Sequence, residues 1–134
     1  MTAELELEKL LTEMSPELRE GEYVFSSISR EDLDDLRVDP IGWFREVEGI
    51  SLILDRAAAQ RLGLKQSSTF RMISLKVDSS LEAVGFLAAV TEKLAAAGVS
   101  VNAVSAFHHD HLFIPVEKAD LAMSLLNDLA ADAA

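Results

Sequence analysis

Residues 70–130 read FRMISLKVDSSLEAVGFLAAVTEKLAAAGVSVNAVSAFHHDHLFIPVEKADLAMSLLNDLA. Apolar residues recur in this stretch at the two-residue spacing of strands and at the 3.6-residue spacing of helices, in turn. The pattern predicts a strand at 70–77, a helix at 80–97 ended by Gly98, strands at 99–107 and 111–116, and a helix at 118–130. This order is most of a ferredoxin-like βαββαβ unit, an α+β fold, and only the fourth strand is missing. We expect that edge strand to come from the first half of the chain.

The first half of the chain carries weaker signals of the same kind. They predict a helix at 3–14 stopped by Ser15-Pro16, strands at 23–28 and 50–54, an acidic turn or short helix at 30–40, and an Ala-rich helix at 56–62. Residues 65–68 are the only linker-like stretch, so we predict two units, 1–65 and 66–134. Laying Glu48 on Asp110 gives a weak internal repeat, in which the first copy lacks the long helix.

The composition excludes several classes of protein. The chain has 134 residues, with 23 Asp and Glu against 12 Lys and Arg, a net charge of −11 and no cysteine. A pI near 4.6 argues against nucleic acid and anionic membranes as partners, because both require a basic surface. The absence of cysteine excludes disulfides and thiolate metal sites. Because the N-terminus does not resemble a secretory signal and no apolar run could span a membrane, we expect a cytoplasmic protein.

The segment between the first predicted strand and helix of the second half is the strongest candidate for a binding site. It reads Asp78-Ser79-Ser80-Leu81-Glu82-Ala83-Val84-Gly85. A helix that begins beside Ser79 would present free backbone N–H groups, which form a seat for a carboxylate or another anion. Ser79 and Glu82 also have the spacing of a capping box, which would satisfy the same N–H groups from within the protein. Gly85 inside a helix costs about 1 kcal/mol relative to Ala, which indicates that a strand or a ligand approaches the backbone closely.

Histidines and acids form two further candidate groups. The run His108-His109-Asp110-His111 could suggest a metal site, but strand alternation separates its side chains, and no second cluster completes a ligand set. We therefore predict a turn with solvated histidines and no metal. Asp110 and Glu48 each precede a buried strand, where a carboxylate can bind the ammonium or guanidinium of a ligand or can equally satisfy loop amides.

No pattern in the chain supports catalysis. The Gly-x-Ser-x-Gly nucleophile motif is absent, and the glycines are scattered singly rather than gathered in a phosphate-binding loop. We therefore predict neither an enzyme nor a cofactor. Trp43 and Phe44 are interpreted as core or interface residues.

Three strings of the second half are similar to those of a known family. They are Ser79 to Gly85, Asn102, and His109-Asp110-His111-Leu112-Phe113-Ile114-Pro115. Together with Tyr23-Val24-Phe25 and Glu48-Gly49-Ile50 they resemble a family of small bacterial tandem ACT-domain proteins, over nearly the whole length of the chain. In domain type the chain is also similar to the regulatory domains of aspartate kinases and to the CASTOR arginine sensors.

The resemblance implies two ferredoxin-like ACT units in tandem that bind a small effector, usually an amino acid, at an interface between units. It assigns the turn from Asp78 to Glu82 to the carboxylate of the ligand, Asn102 to the pocket wall, and Asp110 and Glu48 to the cationic end of the ligand. We therefore expect a non-catalytic, homodimeric sensor that passes its signal to a separate partner. The alternative is a protein–protein interaction module whose ligand site is degenerate.

Overall fold

The computed structural model of the chain describes residues 2–35 and 39–134. The described helices and strands are α1 (Ala3–Thr12), β1 (Pro16–Leu18), β2 (Tyr23–Ile28), β3 (Gly42–Arg45), β4 (Ile50–Asp55), α2 (Arg56–Arg61), β5 (Phe70–Leu75), α3 (Phe86–Ala96), β6 (Asn102–Ser105), β7 (Asp110–Pro115) and α4 (Ala119–Ala133). Within these ranges, none of the helices has the length and apolar character needed to cross a membrane.

The chain packs as two compact units. The discontinuous unit consists of Met1–Glu20 and Arg71–Ala134, and the continuous unit consists of Gly21–Phe70. The predicted division between residues 65 and 66 separates two sequence repeats, whereas these two units are defined by packing. The division into repeats therefore stays a prediction. The first 20 residues belong with the second half because α1 and β1 pack there.

The discontinuous unit contains the fourth strand that the sequence pattern lacked. Its sheet has the order β1-β5-β7-β6, and β1 pairs with β5 in antiparallel register, with Pro16 opposite Leu75 and Leu18 opposite Ile73. Pro16 ends the preceding helix and begins the strand, because proline lacks the N–H donor that a longer helix requires. The expectation that the edge strand comes from the first half of the chain is confirmed.

Helices α1, α3 and α4 cover one face of this sheet. The side chains between them and the sheet form one apolar cluster, and many of them are fully buried. The cluster includes Met14, Ile73, Leu75, Val90, Leu94, Leu112, Ile114, Ala122 and Leu126. Burial of each large aliphatic side chain of this kind stabilises the fold by about 1.5–3 kcal/mol.

The continuous unit is a reduced version of the same plan. Its sheet has the order β3-β4-β2, and α2 covers part of it, capped by Asp55, which accepts hydrogen bonds from the N–H groups of Ala57 and Ala58 at 2.8 and 3.4 Å. After β2 the structure describes only a 3₁₀ turn at Glu31–Leu33, where the other unit has α3. The predicted absence of the long helix therefore holds for the described part; residues 36–38 of the predicted acidic segment lie outside it.

The predicted start of the helix at residue 80 is wrong. Helix α3 begins at Phe86, and its N-cap is Gly85, whose φ of +91° is a left-handed conformation that glycine adopts without strain. Ser80 closes a separate turn instead: its hydroxyl accepts from the N–H of Glu82 at 3.1 Å, and its carbonyl accepts from the N–H of Ala83 at 3.0 Å. The capping box of Ser79 and Glu82 is therefore not formed, and Gly85 does not lie inside a helix.

The predicted strand at 99–107 is shorter than expected and is not half-buried. All four residues of β6 are exposed, because it is the edge strand of its sheet. The chain turns over residues 106–109, where the N–H of Ala106 donates to the carbonyl of His109 at 3.0 Å.

The hairpins β3–β4 and β6–β7 have the same turn, and this corrects the internal repeat. Glu46 and Gly49 close the first turn as Ala106 and His109 close the second, so that Ile50 and Asp110 each begin the returning strand. Asp110 therefore corresponds to Ile50. Glu48 lies within the turn and corresponds to His108, so laying it on Asp110 was wrong by two residues.

Candidate functional site

A cavity of about 70 Å³ lies in the discontinuous unit, where the loop after β5, the start of α3 and the β6–β7 hairpin meet. Its wall combines hydroxyl groups, one carboxylate and apolar side chains. The lining residues are Ser79, Ser80, Leu81, Ala83, Phe86, Leu87, Ser105, Ala106 and Asp110.

Asp110 is the charged residue of this cavity. It is the first residue of β7, opposite Ser105, and only 8% of its surface is exposed. Its Oδ2 accepts a long hydrogen bond of 3.4 Å from the hydroxyl of Ser79, the one hydrogen bond that the described residues give this side chain. A carboxylate this well buried is stabilised by a cationic or hydrogen-bonding partner, which a ligand could supply.

The start of helix α3 forms another part of the wall. Gly85 has no side chain to cap the helix, and the first helical hydrogen bond runs from the N–H of Ala89 to the carbonyl of Gly85 at 2.9 Å. The N–H groups of the first turn therefore have no partner within the helix, and the helix dipole places partial positive charge there. Because Phe86 and Leu87 line the cavity, the partial positive charge of this turn lies beside the cavity, and Asp110 adds a negative charge to its lining.

A larger groove of about 500 Å³ lies on the other side of the same loop, between that loop and α1. Ser80 and Ala83 line both spaces, so the loop is the wall between them. The groove is acidic: it is lined by four carboxylates and by the single cation of Lys9. The carboxylates are those of Glu6, Glu13, Asp78 and Glu82.

The structure brings together some of the predicted site residues and separates others. Ser79, Ser80, Leu81 and Asp110 line the cavity, whereas Asp78 and Glu82 line the acidic groove. Asn102 lies at the far end of β6, opposite Phe113, and is not part of the cavity wall. Glu48 is exposed in the β3–β4 turn of the continuous unit.

Five residues that were not predicted to contact a ligand complete the cavity wall, and of these only Ala83 lies in the predicted segment. The five are Ala83, Phe86, Leu87, Ser105 and Ala106. Small and apolar residues of this kind carry no chemical motif. Ser105 and Ala106 could have been found by placing the hairpin turn at 106–109, since both then adjoin Asp110.

The histidines make separate contacts. The Nδ1 atom of His109 lies 3.2 Å from the carbonyl of Val77, and that of His111 lies 2.8 Å from the hydroxyl of Ser74. Burial lowers the pKa of His111 below its usual value, and the positive charge of Arg19 lowers it further. In the part of the chain that the structure describes, no group of three acidic, histidine or cysteine side chains is arranged to hold a metal ion.

Two family models match the chain, and both are described as ACT domains. The first matches residues 2–71 and the second matches residues 67–128. No curated protein sequence matches the chain.

Solved structures share the fold of this chain. The chain is similar to a protein of unknown function from Vibrio cholerae, described as a possible transport protein, with 43% identity, coverage of 96% of this chain and 99% of that chain, and a TM-score of 0.84. A protein from Agrobacterium tumefaciens has 14% identity, coverage of 86% and 87%, and a TM-score of 0.68. The regulatory subunit of aspartate kinase from Thermus thermophilus has 11% identity, coverage of 85% and 95%, and a TM-score of 0.63. The likeness to the last two proteins shows the fold alone.

Proposed function

Since this chain belongs to the ACT-domain family, whose models match both of its halves, we propose that it is a non-catalytic sensor that binds a small amino acid-like ligand in the cavity beside Asp110. Family membership supports a regulatory, ligand-binding role in general terms, because ACT domains typically regulate rather than catalyse. The cavity supplies the argument for the ligand class and for the site.

The observation that carries the proposal is the pairing of opposite charges across one small cavity. A free amino acid has a carboxylate and an ammonium group on one carbon atom. The uncapped first turn of α3 favours the carboxylate, and the buried Asp110 favours the ammonium. The cavity volume of about 70 Å³ exceeds the about 10–15 Å³ that a single water molecule requires, so the space can admit a small polar group.

We assign Ser79, Ser80, Leu81 and Asp110 to the ligand head group, and we assign Asp78 and Glu82 to the acidic groove beside it. Contact of Asn102 or Glu48 with a ligand stays a prediction. The sensor acts in the cytoplasm as a homodimer and passes the ligand-bound state to a separate partner.

A thermal-shift screen of the twenty amino acids tests the proposal. A ligand at 100 times its Kd stabilises the folded state by about 2.7 kcal/mol, which corresponds to a shift of several degrees in a domain of this size. We expect Asp110→Asn to remove the shift by deleting the ammonium partner, and Ser80→Trp to remove it by filling the cavity.

Matched controls separate loss of binding from loss of folding. Asp128→Asn and Ser124→Trp make the same chemical changes at exposed positions of α4 and should leave the shift intact. If no amino acid at millimolar concentration raises the Tm of the unaltered protein, the proposed ligand class is wrong.

The alternative function, a protein–protein interaction module with a degenerate ligand site, is favoured by a different observation. Trp43 and Phe44 are 48% and 73% exposed on an edge strand, which is unusual for aromatic side chains of a monomer. In that case Ser80→Trp leaves both the oligomeric state and the retention of a partner unchanged, and no amino acid shifts the Tm.

A further inference from the structure

A groove of about 310 Å³, here called the Ser26 groove, lies along the second half of β2 in the continuous unit. Strand β2 forms one wall, and the segment that follows α2 forms the other. None of its lining residues was among the predicted site residues. They are Phe25, Ser26, Ser27, Lys65, Gln66 and Ser67.

Ser27 presents backbone hydrogen-bonding groups to this groove. The N–H of Arg56 donates to the carbonyl of Glu22 at 2.9 Å, and because bonded pairs alternate along an antiparallel ladder, the even-numbered residues of β2 bond to β4. The odd-numbered residues point the other way, where Phe25 exchanges hydrogen bonds of 2.8 and 3.0 Å with Ser67. Ser27 points the same way, and its N–H and C=O groups have no partner among the described residues.

The side chain of Ser26 adds a buried hydroxyl to the same groove. Ser26 is 9% exposed, and within the described ranges its Oγ has no hydrogen-bond partner. Its neighbours on the same face of β2, Val24 and Ile28, belong to an apolar cluster, which supplies no polar partner. Because buried hydroxyl groups in proteins are ordinarily hydrogen-bonded, this one indicates that a ligand in the groove supplies the acceptor.

The charge of the Ser26 groove selects the class of ligand. Lys65 is the one charged side chain among the described lining residues, and it forms none of the ion pairs that these residues make. The cavity beside Asp110 and the acidic groove, in contrast, are lined by carboxylates. A single ammonium group matches the single charge of a carboxylate. Since no carboxylate among the described lining residues faces the ligand, an ammonium group on the ligand would have no partner here.

We propose that the Ser26 groove binds a small 2-hydroxy acid. The carboxylate of the ligand accepts from the ammonium group of Lys65 and from the hydroxyl of Ser26. The 2-hydroxyl group is both an acceptor and a donor, so it pairs with the N–H and the C=O of Ser27. The apolar part of the ligand lies against Phe25. This inference goes beyond the proposed function and does not depend on amino acid binding beside Asp110.

Lactate and alanine are a matched pair of probes, because they differ only in carrying a hydroxyl or an ammonium group on the same carbon atom. In backbone amide NMR of the whole chain, we expect millimolar lactate to shift the signals of Ser27 and Gln66 to saturation, and alanine to leave them in place. Equal shifts with alanine would overturn the selection against an ammonium group. The absence of a saturable shift with lactate would overturn the site, and tighter binding of inorganic phosphate would overturn the carboxylate.

Substitutions in the groove complete the test. Lys65→Met should weaken lactate binding about ten-fold or more, Lys65→Arg should largely retain it, and Ser26→Ala should weaken it about three-fold. Lys93→Met makes the same change on α3, in the discontinuous unit, and is the control. Unchanged lactate affinity in Lys65→Met would contradict the proposal. Shifts of Ser79 and Ser80 with alanine report on the other cavity, so this inference and the proposed function fail separately.

Discussion

The β3–β4 and β6–β7 hairpins are built alike, yet only the second adjoins a candidate binding site. Both close over four residues, and both begin the returning strand at the residue after the turn. In the continuous unit that residue is Ile50, which is 1% exposed in an apolar cluster. In the discontinuous unit it is Asp110, which is 8% exposed and faces the cavity beneath the start of α3.

The difference shows what a binding site needs from this fold. The hairpin supplies one wall, and the helix that follows the first strand supplies the other wall together with its free N–H groups. Within the described residues, the continuous unit has a 3₁₀ turn where that helix would begin, and the position of the acid is taken by an apolar residue. One unit therefore carries the cavity, and the other carries an apolar edge.

The largest expected effect comes from the turn positions that correspond in the two hairpins. Gly49 has a φ of +148°, and a Cβ atom added there would lie 2.6 Å from the carbonyl oxygen of Ile28. Gly49→Ala should therefore lower the free energy of unfolding by about 2–3 kcal/mol, measured by urea denaturation. His109→Ala, at the matching position, should cost less than about 1 kcal/mol. Equal costs at the two positions would contradict the backbone strain and the close contact that we assign to a side chain at Gly49.

A smaller effect is expected at Gly85. If this glycine lay inside a helix, Gly85→Ala would stabilise the protein by about 1 kcal/mol. As an N-cap with a φ of +91° it favours glycine, so we expect the substitution to destabilise the fold by about 1 kcal/mol instead. The sign of the change in Tm decides between a helix that begins near residue 80 and one that begins at Phe86.

The smallest expected effect is the part of the pH dependence of stability that comes from His111, in the discontinuous unit. The pKa of His111 is lowered by burial and by Arg19, so the unfolded chain takes up a proton that the folded chain resists. The stability that depends on a neutral His111 is fully present above about pH 6.5, the ordinary pKa of histidine. It is lost as the pH falls through that value towards the lowered pKa.

The change in unfolding free energy between about pH 7.5 and pH 5.5 should therefore be smaller in His111→Gln than in the unaltered protein. His108→Gln removes an exposed histidine and is the control. If the unfolding free energy of His111→Gln changes with pH as much as that of the His108→Gln control, His111 is excluded as the source of the pH dependence.

Much of the fold could be predicted from the sequence, because periodic apolar residues report directly on buried faces. Strand β5 and helix α4 follow from such patterns, and the missing edge strand follows from counting elements. The start of α3 could not be predicted in this way. Leu81 and Val84 have helical spacing but are 66% and 83% exposed, since the φ of Gly85 redirects the chain after them.

The site was predictable only in part for a similar reason. Ser79, Ser80 and Asp110 carry polar groups that a sequence motif can indicate, and they line one cavity. The assignment of Glu48 depended on an alignment that was wrong by two residues, and one hydrogen-bonded turn was needed to correct it. Phe86 and Leu87 have no chemical signature, because their role depends on where the helix begins.

The central claim is that an amino acid binds in the cavity beside Asp110, and backbone amide NMR with an amino acid titrated in tests it most directly. The account predicts that the signals of Ser79, Ser80, Phe86 and Ser105 shift together in proportion to saturation, and that those of Gly49 and Ile50 in the matching hairpin do not. Shifts confined to the β3–β4 hairpin, or no shift with any of the twenty amino acids, would contradict it.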